Sequence, residues 1–167
     1  MVIEEEHVHV ELAHDPLDAK ASMERVGSPK AGAIVLFAGT TRDNFANLAV
    51  KQLSYDAYPA LALKTLLHIA RDVKSKHSLT SISIIHRLGT VPVGEESILI
   101  AVSSPHRQAA WKAGEEALEL TKEKAEIWKL EEFEGDEESV WRANRDGQMG
   151  VRVDKANLNS LKEEGSR

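Results

Sequence analysis

His106 and Arg107 stand side by side directly after Ser103-Ser104-Pro105, at the mouth of an Ala-rich stretch, and Lys122 and Lys129 follow seven positions apart. A His-Arg pair where a helix begins suits an anion. First-turn N–H groups and the helix dipole attract negative charge, and the guanidinium adds a planar fork that fits phosphate or carboxylate. A lysine near other cations or in a dry pocket has a lowered pKa, and its neutral amine then serves as nucleophile or base. The chemistry suggested is an anion site with amine reactivity. Each residue also has a plain alternative: Arg107 pairing with Glu115 or another acid, and the lysines standing in solvent. Arg42, in the polar turn Gly39-Thr40-Thr41-Arg42-Asp43-Asn44, is either a solvated loop base or a binding group at a strand exit.

The elements that must position these residues follow from periodicity. Ile98 to Val102 is continuously apolar and predicts a buried strand ending at Ser103-Ser104-Pro105. Gln108 to about Lys124 predicts a long helix, and Ile127 to Glu131 an extended segment. From Arg107 to Lys122 is 15 residues, about 22 Å along a straight helix, so the two ends of one helix cannot line one small pocket. A site using all four residues therefore requires a broken helix or a second copy of the chain, and we expect a homodimer with composite sites.

Earlier in the chain, His7–Leu12 predicts a half-buried strand with Val8, Val10 and Leu12 inward and His7 and His9 on a solvated face, a pair that lacks a third metal ligand. Asp15-Pro16 predicts a helix start and Gly27-Ser28-Pro29 its stop. Ala33–Ala38 predicts a central strand buried on both faces, and Val50–Tyr55 the next strand after an irregular hairpin or loop. Pro59 opens an amphipathic helix with Leu63, Leu66, Leu67, Ala70 and Val73 on one face and Lys74, Lys76 and His77 at its C-terminal end. Ser81–His86 is a strand, Val91-Pro92-Val93-Gly94 a loop, the acidic run 131–138 a solvated loop, and Trp141-Arg142 a docked turn. The order predicts an α+β domain of ferredoxin-like type, helices on one sheet face, over residues 1–145, with a polar tail at 146–167 that has few large apolar residues.

Composition bounds the function. With no cysteine, the chain has no disulfide, thiolate nucleophile or Cys-bound metal, so any sulfur chemistry needs sulfur from elsewhere. A net charge of −6 argues against a broad nucleic-acid surface and makes any anion site a local cluster of bases. Acids near the N-terminus stand where a signal peptide has bases, and the cytosol is the expected address. No GxxxxGK[ST], GxGxxG, HExxH or GxSxG motif occurs.

Five stretches, FAGTTRDN (37–44), YDAYPA (55–60), HRLGTVPVGE (86–95), SSPHRQAAWKAGE (103–115) and LTKEKAEIWKLE (120–131), resemble the large, catalytic subunits of the molybdopterin synthase family. The resemblance runs from about Gly32 to Glu132 and implies the α/β hammerhead fold on that α+β core. It implies a sulfurtransferase of molybdenum cofactor biosynthesis: two sulfurs pass to cyclic pyranopterin monophosphate (precursor Z), making molybdopterin. The sulfur comes from the thiocarboxylated C-terminus of a small ubiquitin-like subunit, in a heterotetramer built on a dimer of large subunits, and no other cofactor or metal is implied. Arg42, His106 and Arg107 match the pterin-binding positions, Lys122 and Lys129 the catalytic and substrate-binding lysines, and Leu130 and Glu131 the end of the closing Trp-Lys-x-Glu. Glu126 departs from the family, where many relatives carry proline. Two rival readings remain at this point: a non-catalytic ferredoxin-like anion-binding regulatory module, and an acyl-phosphate hydrolase that uses Arg42 and Asn44.

Overall fold

The computed structural model describes residues 1–45, 47–133 and 140–143. The core is organised around β8 (Glu96–Ser104), every residue of which from Ser97 onward is buried. It lies between β6 (Ser81–Arg87) and β3 (Ala33–Thr40) in a five-stranded sheet completed by β1 (Val2–Glu5) and β2 (Val8–Ala13), in the order β1-β2-β6-β8-β3. β2 and β6 pair in parallel, and the remaining neighbours are antiparallel.

Alternation along β8 splits its side chains between two layers. Ile98, Ile100 and Val102 join one apolar cluster with Leu63, Leu66, Ile69, Ala70 and Val73 of α2 (Pro59–Lys76) and Ala110, Ala113 and Ala117 of α3 (Arg107–Lys124). Leu99 and Ala101 face the other side, where α1 (Ala19–Val26) packs on β8, β3 and β6 with Val26 buried. The helices therefore cover both faces of the sheet, not one.

A second, antiparallel sheet runs β10-β9-β5-β4, with β7 also on β5; these are β4 (Asn44–Phe45), β5 (Leu48–Ala57), β7 (Gly89–Pro92), β9 (Ile127–Phe133) and β10 (Val140–Ala143). The α+β class read from the sequence is the observed one. No helix among the described residues is long and apolar enough to cross a membrane.

Several local expectations change. β3 is an edge strand with Ile34 44% exposed; its unbroken apolar run reflects helices on both faces, which periodicity cannot distinguish from a central place in the sheet. α1 starts three residues later than Asp15-Pro16 suggests, because the Asp18 carboxylate caps it by accepting from the Ala21 N–H at 2.9 Å. His7 sits in the β1–β2 turn with φ 64°. His9 is buried, its ring nitrogens each 3.0 Å from a carboxylate, of Glu4 and of Glu11, because β1 folds back over β2. The segment Gly89–Pro92 is a strand, and Trp141 belongs to a strand on β9. Of the acidic run 131–138, residues 134–138 lie outside the described residues, as does the tail 146–167.

His86 joins the two sheets. It is fully buried at the end of β6, its Nδ1 2.9 Å from the Arg87 carbonyl oxygen, and it meets Tyr55 of β5 edge-on with ring centroids 4.9 Å apart. Burial lowers its pKa to about 4 from 6.5. The unfolded chain thus binds the extra proton first, so this contribution to stability is complete above pH 6.5 and is lost as pH falls toward 4. Relative to His86→Leu, the wild type should lose about 2 kcal/mol more stability between pH 7.5 and 5, as measured by urea unfolding; parallel pH profiles for the two proteins would contradict this.

Candidate functional site

At one end of the sheet β8 stops at Ser104, and His106 becomes the N-cap residue of α3, with Arg107 opening the helix. Both side chains are exposed, and the first turn holds no acid. The turn is held from beneath: the Gly32 N–H donates to the Ser104 carbonyl at 3.0 Å, and a Cβ on Gly32 would lie 2.5 Å from the Pro105 oxygen. Glycine is therefore needed there to place His106 and Arg107. Open first-turn N–H groups beside a histidine and an arginine make an anion site.

α3 then runs back beside β8 without a break, so its C-terminal end lies where β8 begins and β3 ends, Thr40 pairing with Glu96. Half-buried Lys122 lies in its last turn. Only Ala125 and Glu126 separate α3 from β9. Glu126 is tied in place: its carboxylate accepts from Thr65 Oγ1 at 2.9 Å, and its carbonyl accepts from the Tyr58 N–H at 3.2 Å.

On β9, Ile127, Lys129 and Glu131 share the inward face. Lys129 Nζ lies 3.4 Å from Glu131 Oε1, with side chains 17% and 3% exposed. Lys129 pairs in register with Tyr55, and Glu131 with Leu53. Leu130 points to the opposite face with Glu132, whose carboxylate accepts from Ser54 Oγ at 2.8 Å and Gln52 Nε2 at 2.9 Å. So the first residue of the acidic stretch past Glu131 is a strand position, not a solvated loop. Exposed Arg42 follows buried Thr41 at the same end of the sheet as Lys122 and Lys129.

The structure thus gathers Arg42, Lys122, Lys129, Leu130 and Glu131 toward one end and leaves His106 and Arg107 at the other, about 22 Å away along α3. Lys129 beside a buried carboxylate is held as a fixed point charge, suited to stabilising developing negative charge. Asn44 donates to the Asp43 carboxylate at 2.6 Å on the surface. Sequence reasoning passed over Tyr55, buried opposite Lys129, and the Arg87–Glu95 ion pair. Both lie within the stretches that carried the family resemblance, and that was the available signal. No group of three or more His, Asp or Glu side chains that could hold a metal occurs among the described residues.

The MoaE protein family profile matches residues 12–124. This chain belongs to that family. Among its MoaE relatives, the molybdopterin synthase catalytic subunit of Sclerotinia sclerotiorum is 65% identical over 90% of this chain and 76% of its own length. The protein of the same name from Neurospora crassa is 60% identical over 93% of this chain and 76% of its own length. Of solved structures, molybdopterin synthase from Staphylococcus aureus superposes with TM-score 0.74 at 34% identity, covering 79% of this chain and 95% of that one. A complex of subunits 1 and 2 of molybdopterin-converting factor from Helicobacter pylori superposes with TM-score 0.63 at 25% identity, covering 76% and 90%. The regulatory-module reading is not favoured, since the MoaE relatives are named as catalytic subunits.

The Lys129–Glu131 pair carries a stability signature. Lys129→Met removes the Lys129 ammonium from beside the buried Glu131 carboxylate, and should cost about 3 kcal/mol at pH 7. Adding Glu131→Leu should recover much of that loss. Urea melts of the two single variants and the double variant test this; additive losses would show that the pair is not coupled.

Proposed function

We propose that this chain is the catalytic, sulfur-transferring subunit of a molybdopterin synthase and acts in molybdenum cofactor biosynthesis, in the cytosol. The likeness to subunits of that name, 65% over 90% of the chain, carries the reading. Two sulfurs pass from the thiocarboxylated C-terminus of a small ubiquitin-like subunit to precursor Z. The chain's lack of cysteine suits a sulfur that its partner delivers, and no resident cofactor is needed. The small-subunit partnership is supported by the Helicobacter pylori complex of subunits 1 and 2.

In this reading His106, Arg107 and Arg42 hold the cyclic phosphate and pterin. Lys122 activates the substrate or captures the acyl group as sulfur leaves it. Lys129 stabilises developing negative charge, and Glu131, 3.4 Å away, orients it.

The unbroken α3 supports a site shared between two chains. A two-fold axis that sets α3 antiparallel to its copy brings His106 and Arg107 of one chain toward Lys122 and Lys129 of the other. The open edge of β3, with Ile34 exposed, and Trp111 on α3, 65% exposed, supply apolar surface for such a contact.

Turnover of precursor Z with thiocarboxylated small subunit, followed by mass spectrometry, tests both levels. Lys122→Ala and Arg107→Ala should each lack activity while remaining folded. Mixing the two dead variants, with subunit exchange, should restore about a quarter of wild-type activity, because half the dimers then carry one intact composite site. Near-normal turnover by Lys122→Ala would refute the lysine's role. No recovery on mixing would refute the shared site.

A further inference from the structure

We infer that Arg87 and Glu95 are positioning residues that set the turn carrying Arg42, an inference that rests on the reading of Arg42 as a substrate-binding group. Arg87 ends β6 and is only 7% exposed. Its Nη1 donates to Glu95 Oε2 at 2.5 Å, and its buried Nε has no hydrogen-bond partner among the described residues. A guanidinium in this setting is held largely by that one carboxylate, so it anchors whatever carries the carboxylate.

Glu95 lies in the tight turn between β7 and β8, where its N–H donates to the Pro92 carbonyl at 3.1 Å and Gly94 adopts φ +85°. That turn grips Thr41 on three sides. The Thr41 N–H donates to the Glu95 carbonyl at 3.1 Å, the Gly94 N–H donates to the Thr41 carbonyl at 2.9 Å, and Thr41 Oγ1 donates to the Val91 carbonyl at 3.3 Å. Thr41 is 3% exposed, and the next residue, Arg42, is exposed. The chain of contacts therefore runs from the buried Arg87, through Glu95 and the 91–95 turn, to the backbone from which Arg42 projects. Neither Arg87 nor Glu95 needs to touch substrate for this; they fix the direction of a side chain that does.

The test is steady-state turnover of precursor Z with the thiocarboxylated small subunit, comparing KM for the pterin with kcat. Arg42→Ala should raise KM roughly tenfold, the loss of one guanidinium–anion contact. Arg87→Ala and Glu95→Gln should raise KM by a similar factor with a smaller change in kcat. The Arg42→Ala/Arg87→Ala double variant should be no worse than Arg42→Ala, because one residue acts through the other. Arg87→Lys, which keeps the ion pair, should restore KM toward the wild-type value. Should Arg87→Ala fail to fold, Glu95→Gln reports the same coupling at nearly unchanged volume. A raised KM in Arg42→Ala with unchanged KM in Arg87→Ala and Glu95→Gln, or multiplicative effects in the double variant, would overturn the inference alone. An unchanged KM in Arg42→Ala would overturn the reading of Arg42 beneath it.

Discussion

The length of α3 is the constraint on which the rest of the molecule depends. Eighteen residues of unbroken helix hold the exposed His106-Arg107 pair and half-buried Lys122 at opposite ends of β8. Nothing in the helix relaxes this separation. Its inward face is Ala110, Ala113, Gly114 and Ala117, small side chains that seat it closely on β8 and β3, and Leu118 and Thr121 continue that face to the last turn. A helix packed this tightly does not bend to bring its ends together. Each end is instead finished by a separate device: the Gly32–Pro105 contact under the N-terminal turn, and the Thr65–Glu126 and Tyr58–Glu126 hydrogen bonds under the C-terminal one.

The second recurring feature is ionisable groups placed inside the protein with a defined partner. Glu131 lies beside Lys129, Arg87 beside Glu95, and neutral His86 beside the Arg87 carbonyl. A hydrophobic pair of similar volume would serve stability as well or better in such places, so their presence points toward geometry or electrostatics. All three sit where the two sheets meet. The surface ion pairs are of another kind. Glu116 accepts from Lys76 and His77, which hold its pKa below the usual carboxylate range, and they tie α2 to α3. Arg71 holds Glu5 likewise, joining α2 to β1, and both groups are largely solvated. They fix where elements lie and add little to the site.

Much of this was readable in the residues. Long amphipathic runs with Pro59 in front of one and His106-Arg107 in front of another determine α2 and α3 almost to the residue. A continuous apolar segment marks β8, and Ile82, Ile84 and Ile85 within Ser81–His86 mark β6. What was not readable depends on partners distant in sequence. β1 carries Val-Ile-Glu-Glu and gains its strand identity only by folding back on β2, which also buries His9 between Glu4 and Glu11. β7 contains Pro92 and reads as a loop until β5 pairs with it. The Ala33–Ala38 run shows that both faces are covered and leaves open whether a neighbour lies on each side. The Lys129–Glu131 pairing was within reach, because residues two apart in a strand share a face; the depth of its burial needed the fold.

The same distinction explains why the candidate residues could be named while their arrangement could not. A side chain's chemistry is local, and His106, Arg107, Lys122 and Lys129 declare it by type and by position on an element. Convergence is a property of the fold, and here the fold of a single chain separates what the chemistry would join. Helix rise alone exposes that conflict at the sequence level, and α3 does run unbroken from Arg107 to Lys124. In the proposed reading, the two ends of α3 belong to different sites, and a symmetric copy of the chain completes each of them. A site made this way ties activity to assembly, since a chain without its copy keeps every functional side chain and still lacks a complete site.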